Sequence, residues 1–220
     1  MPRAEFRFYL ITDRAAVVAG TLLQAVAAAL EAAPPGSVAL QLREKDLAAR
    51  DRYAIALELR KICSRYGAPM LVNDRVDIAI AARGDGVHLP SDSIGAAMAR
   101  KLAGPGLLIG ASTHSPAEVA AAAREGADFA VFGPVFDPLS KTAFAPARGV
   151  EGLAAACRAA SIPVYALGGI TPERARELMS NPDKAARPAG VAGIGSILGA
   201  DSPADAMRVM LAALNLPMRR

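Results

Sequence analysis

The sequence predicts an α/β protein built as a single (β/α)8 barrel of the TIM-barrel type, and three observations predict it. Short β-rich runs alternate with Ala-rich helical runs about eight times along the 220 residues. Strand-like runs carry apolar residues on both faces, as in a parallel sheet covered by helices. Each helical run is just long enough to bring the chain back to the start of the next strand, so eight units fit in a compact closed barrel.

The units follow in order. "FRFYLIT" precedes "LLQAVAAALEAA", and "VALQLR" precedes "ARDRYAIALELRKICSRYG". "APMLVN" leads to "RVDIAIAAR", "DGVHL" to "IGAAMARKLAG", and "GLLIGAS" to "PAEVAAAAREG". "DFAVFGPVF" is followed by "GVEGLAAACRAA" after a long connection that contains "SKTAFAPARG". "IPVYALGG" and "TPERARELMS" make the seventh unit, "GVAGIGSI" and "SPADAMRVMLAALN" the eighth. A doubly wound open sheet is the competing architecture, but it normally carries a GxGxxG turn after an early strand, and none is present. An Ala-rich solenoid would show a repeated signature, and there is none.

With 53% hydrophobic residues the chain can bury a full core, and no Pro/Gly/Ser-rich or charged linker divides it, so one domain is expected over residues 1–220. The net charge of +4 and pI near 9.3 suit a phosphate-bearing partner. The cations are nevertheless interspersed with acids, as in "LREKD" and "PERARE", which argues against nucleic acid and for an anionic small molecule. Cys63 and Cys157 lack CxxC spacing and sit in amphipathic runs, so they read as small buried thiols. The N-terminus runs straight into a strand and no apolar run could span a bilayer, so no membrane partner and a cytoplasmic location are expected.

In such a barrel the chemistry lies at the C-terminal ends of the strands. The glycines of "GGIT" (Gly168, Gly169) and "GIGS" (Gly193, Ile194, Gly195, Ser196) follow the last two strands. There, free backbone N–H groups and helix N-termini suit a phosphate, although tight turns alone would also call for glycine. Arg43, Lys45 and Lys141 form a second anionic site if their loops converge; otherwise residues 43–46 are a solvated charge run. Alternation in "VALQLREK" puts Gln41, Arg43 and Lys45 on one face, which favours the site. Asn73 and Asp74 follow the third strand, where a carboxylate near phosphate suits Mg²⁺ and where Asp74 could equally cap a helix. His88 and His114 each end a strand without HxxxH spacing, which argues against zinc; His88 reads as structural, and His114, beside two hydroxyls, as structural or as an acid/base.

Taken together, "YLITD", "QLREK", "LVNDRVDIAI", "DGVHLPSDS", "IGASTHSPAEVAAAAREGADFAVFGPVF", "SK" and "YALGGITPE" resemble, in order and over nearly the whole chain, the thiamine phosphate synthase family. The resemblance implies a (β/α)8 transferase that joins hydroxymethylpyrimidine diphosphate to a thiazole phosphate, with Mg²⁺ and cations drawing off pyrophosphate. It implies that Arg43, Lys45, Ser112 and Lys141 hold pyrophosphate, that Ser140 and Lys141 close a binding loop over it, and that Asp74 binds Mg²⁺. Gln41 and Asn73 would contact the aminopyrimidine in a pocket lined by Tyr9. Gly168, Gly169, Ile194, Gly195 and Ser196 would receive the thiazole phosphate.

Where the family usually carries Gln-Glu-Asp after the fourth strand, this chain has Ser91, Asp92 and Ser93, so the second metal carboxylate is either Asp92, displaced by one residue, or missing. Pro138 and Ser140 replace threonines, and Gly195 stands where a serine is common. "LPSDS" and "FGPVF" also resemble the family's thiazole tautomerase branch, in which the His114 position moves a proton. That branch typically loses Asp74 and the loop lysine pattern, both kept here. A non-catalytic thiamine-pathway binder would not need the leaving-group cations. Subunit number is left open, with a homo-oligomer among the options.

Overall fold

A computed structural model describes the protein over residues 4–137 and 146–216. Its strands are Phe8–Ile11 (β1), Val38–Leu42 (β2), Met70–Asn73 (β3), Gly86–Leu89 (β4), Leu108–Thr113 (β5), Phe129–Phe132 (β6), Val164–Ala166 (β7) and Gly190–Gly193 (β8). They close a barrel in sequence order, and β8 pairs back onto β1 in parallel like every other neighbour. The expected (β/α)8 architecture is therefore what the chain forms.

The helices are Leu22–Glu31 (α1), Ala49–Tyr66 (α2), Val76–Ala81 (α3), Ala96–Ala103 (α4), Pro116–Arg124 (α5), Gly149–Ala159 (α6), Pro172–Met179 (α7), Gly195–Leu198 (α8) and Pro203–Ala213 (α9). Their starts are written locally. Thr21 and Gln24 form a reciprocal capping box on α1. Ser115, Thr171 and Ser202 each cap a helix that opens on a proline, the residue whose missing N–H costs nothing in a first turn. Cys63 lies buried in α2 and Cys157 half-buried in α6; both thiols are unpaired, and burial pushes each up to about 12. Among the described residues no helix is long and apolar enough to cross a membrane.

Strand alternation sorts the core into two shells. Phe8, Leu10, Leu40, Leu42, Val72, Ile109 and Phe132 face the helices. Phe6, Tyr9, Leu71, Phe129 and Tyr165 fill the barrel itself. Phe6 stacks on Tyr165 with centroids 4.5 Å apart, and Phe129 stands edge-on to Tyr9 at 5.5 Å. Gly110 makes room for this layer: a Cβ there would lie 2.3 Å from Phe129 Cζ and 2.7 Å from His88 Nδ1.

Candidate active site

The next inward positions form the floor of the mouth, and they are unlike on its two sides. From β2 to β5 they are Gln41, Asn73, His88 and Ser112, whereas Val131, Leu167, Ile194 and Ile11 on the other side belong to the apolar interior. Gln41 Nε2 donates to Asn73 Oδ1 at 2.9 Å, and both residues are buried. Gln41 Oε1 is left buried with no hydrogen-bond partner among the described residues. His88 Nε2 lies 2.9 Å from Ser112 Oγ. Burial, and then the positive charge of Arg43, push the His88 imidazole down to about 3, so it is neutral at ordinary pH. Tyr9 is wholly buried one inward position below Ile11, so it lies under the mouth, its ring centroid 5.6 Å from that of His88.

β2 ends at Leu42, and the alternation stops with it. Arg43 is half-buried, its N–H donating to Thr12 Oγ1 at 2.8 Å, while Lys45 is exposed. Between them Glu44 is 3% exposed, its carboxylate accepting from the Arg14 N–H at 3.2 Å and from Arg14 Nη1 at 3.1 Å. Arg14 also pairs with Asp46, and Arg52 donates to the carbonyls of Glu44, Lys45 and Leu47. Residues 43–47 are thus a tethered loop whose acids are engaged with Arg14, while Arg43 and Lys45 pair with no carboxylate among the described residues. The separation of Glu44 from its two cationic neighbours was not apparent from sequence, because Arg14 lies 30 positions away.

Asp74 adopts a left-handed conformation at φ 65°, which aspartate tolerates better than most residues, and its N–H donates to the His88 carbonyl at 2.8 Å. It does not cap α3, whose N-cap is Arg75 with no side-chain hydrogen bond. Its carboxylate instead accepts from Ser93 Oγ. Asp92 is exposed, so the residue that the fourth loop brings to Asp74 is Ser93. No cluster of three or more His, Cys, Asp or Glu side chains suited to a metal occurs among the described residues. A single carboxylate with hydroxyl neighbours still fits Mg²⁺, which commonly takes one or two carboxylates and completes its shell with phosphate and water.

His114 Nδ1 sits 2.6 Å from the Gly133 carbonyl, which can only accept, so Nδ1 carries the proton and Nε2 is the basic nitrogen. On the far side of the mouth, Gly168 and Gly169 have φ of 102° and 60°. A Cβ on Gly168 would lie 2.6 Å from Pro134 Cα, and one on Gly169 2.3 Å from the Asp137 carbonyl oxygen, so only glycine fits. Past β8, Ile194 precedes the exposed Gly195, and Ser196 Oγ is buried without a partner among the described residues. Ser140 and Lys141 lie outside the described residues.

The described strand ends thus present polar groups and a cation on one side of the mouth and a glycine-lined turn on the other. The family model described as thiamine monophosphate synthase matches residues 8–197. This chain belongs to that family. A relative from Geobacter sulfurreducens, provisionally named a thiamine-phosphate synthase, is 44% identical over 214 residues, covering 97% of each chain. The thiamine-phosphate synthase of Chlorobium luteolum is 42% identical over 180 residues, 82% of each chain. Among solved structures, the thiamine phosphate pyrophosphorylase of Pyrococcus furiosus superposes with a TM-score of 0.84 at 32% identity, over 97% of each chain. The family assignment covers the whole barrel, and every strand whose end has been described lies inside the matched span.

Proposed function

We propose that the protein is a thiamine phosphate synthase, joining hydroxymethylpyrimidine diphosphate to hydroxyethylthiazole phosphate with release of pyrophosphate. Family membership and the names of the relatives support the activity. The observation that carries it into this chain is the two-sided mouth. A pyrimidine with hydrogen-bonding edges and a diphosphate suits the β2–β5 side, where Gln41 Oε1 is a buried acceptor without a partner among the described residues. The thiazole, with its phosphate, suits the apolar and glycine-lined side.

In this reading Gln41 and Asn73 hold the aminopyrimidine, and Tyr9 supports that pocket from below through His88. Arg43, Lys45, Ser112 and Lys141 hold the diphosphate, with Ser140 beside Lys141 in the sixth loop. The bond from the pyrimidine methylene to the diphosphate oxygen breaks, its electron pair leaving with pyrophosphate, and the thiazole nitrogen then donates its lone pair to the cationic methylene. The cations act where negative charge grows, on the leaving group, so they stabilise the transition state more than the bound substrate. Asp74 would hold Mg²⁺ beside the diphosphate, and Asp92 would contribute directly, through water, or not at all. Bound there, Mg²⁺ supplies further charge neutralisation on the departing pyrophosphate. Gly168, Gly169, Ile194, Gly195 and Ser196 receive the thiazole phosphate, where Ser196 Oγ is a buried hydroxyl without a partner among the described residues.

The His114 geometry supports a second reading, thiazole tautomerase, because an imidazole fixed through Nδ1 presents Nε2 as a base. One experiment separates them. Thiamine phosphate formed from the two substrates with Mg²⁺, and retained in His114→Gln, is expected. Thiazole carboxylate phosphate isomerisation that vanishes in His114→Gln, with no thiamine phosphate from the wild type, overturns the synthase reading.

A further inference from the structure

The turn after β7 is gripped by one side chain. Arg174, in the first turn of α7, donates from Nη1 to the Gly169 carbonyl at 2.6 Å. Its guanidinium also lies over the Phe136 ring, 4.5 Å from the centroid. Phe136 belongs to the segment that leaves β6, and its N–H donates to the Gly168 carbonyl at 3.2 Å, next to a 2.7 Å bond from the Val135 N–H to the Leu167 carbonyl. The same guanidinium therefore fastens a peptide of the glycine turn by its edge and the start of the sixth loop by its face. A planar delocalised cation does this with an edge and a face that an ammonium does not have.

The grip has a consequence at the other end of the peptide. The C=O and N–H of a trans peptide point in opposite directions, so a Gly169 carbonyl bound to Arg174 turns the Ile170 N–H away from Arg174. Two consecutive glycines at positive φ do not hold a peptide plane on their own, since they lack the side chains that restrict it. Anion binding through backbone N–H groups requires that the planes be fixed.

We propose that Arg174 is a positioning residue for the phosphate of the thiazole substrate. It locks the Gly169–Ile170 peptide with its N–H on the ligand side and ties that peptide to Phe136. The proposal rests on the synthase reading for the identity of the ligand. It assigns Arg174 its larger effect on one substrate, because only the thiazole phosphate is placed against the Gly169–Ile170 peptide itself, the pyrimidine diphosphate being placed against β2 to β5 and Lys141.

Arg174→Met, Arg174→Lys and Phe136→Leu test it, with KM measured separately for each substrate alongside kcat and Tm. Arg174→Met is expected to raise KM for hydroxyethylthiazole phosphate about tenfold, the low end of what one charge-assisted hydrogen bond is worth because the bond acts through the peptide it positions, while KM for the pyrimidine diphosphate changes less than about twofold. Arg174→Lys restores part of the loss by bonding the carbonyl without the stack, and Phe136→Leu falls between wild type and Arg174→Met. Parallel rises in both KM values with a lowered Tm would mark a purely structural role and overturn the proposal, as would an unchanged thiazole phosphate KM. If the wild type makes no thiamine phosphate, the synthase reading fails by itself. Arg174 is then judged by inorganic phosphate, titrated by NMR: weaker binding in Arg174→Met supports the proposal, and equal binding, or none in the wild type, overturns it.

Discussion

Acid should unfold this protein through His88. In the folded state its imidazole is enclosed between Tyr9, Phe129 and Ser112, and burial with the nearby Arg43 charge holds it down to about 3, against an ordinary value of 6.5. Well above pH 6.5 neither folded nor unfolded chains protonate this residue, and its lowered value costs the folded state nothing. As pH falls below 6.5 the unfolded chain takes up a proton that the folded chain refuses, so stability drops by about 1.4 kcal/mol per pH unit until the folded imidazole titrates near 3. Between pH 6.5 and 5 that is about 2 kcal/mol, a large share of a typical domain's stability. Urea denaturation at pH 7, 6 and 5, compared between wild type and His88→Gln, isolates this residue from every other titrating group. The wild type should lose about 2 kcal/mol more than the variant over that range. A His88 ring proton resonance that titrates near 6.5 in the folded protein, or identical pH slopes in the two proteins, would refute the argument.

Three further outcomes are expected. Arg43→Ala and Lys141→Ala should each lower kcat about 10²–10³-fold with a much smaller change in pyrimidine affinity, checked by single-turnover kinetics; normal turnover in Lys141→Ala would remove the sixth loop from the mechanism. Chelation of Mg²⁺ and Asp74→Ala should each abolish most of the condensation, whereas Asp92→Ala should lose less than Asp74→Ala; activity undiminished by both chelator and Asp74→Ala would remove the metal from the reaction. Gly169→Ala forces a Cβ to within 2.3 Å of the Asp137 carbonyl oxygen at a positive φ, so it should cost about 1–3 kcal/mol and lower Tm by several degrees in a calorimetric scan.

The barrel could be read from sequence because each βα unit is a local pattern: an apolar strand, a turn, a helix of returning length. Helix starts at Ser115, Thr171 and Ser202 are local in the same sense. Strand parity was legible too, which is why Gln41 and Asn73 fall together on the inner face. Depth was not. How far up the barrel an inward residue sits depends on the stagger between neighbouring strands, and that stagger places Tyr9 in the layer below the mouth. β2 ends at Leu42, short of Lys45, and Arg14 and Arg52 tether the residues that follow through contacts that no local pattern records. The Ser93 to Asp74 bond and the Arg174 to Phe136 stack are long-range in the same way. The candidate roles of Ser140 and Lys141 fall outside the described residues.

The aromatic layer inside the barrel has a meaning for mutational tolerance. Phe129 meets Phe6, Tyr9, Tyr165 and His88, so the packing that stabilises the protein is also the surface on which a floor residue of the site rests. Truncating Phe129 to alanine would cost about 3–5 kcal/mol and at the same time release His88 and, through it, Ser112. Robustness and chemistry are therefore inherited together on the β2–β5 side, where few substitutions can alter one without the other. The ring contacts to His88 among the described residues come from Tyr9 and Phe129, whereas Val131, Leu167, Ile194 and Ile11 of the opposite wall pack in the same apolar cluster without placing a ring on His88. Changes in substrate range, whether by drift or by a directed library, have their freest ground there.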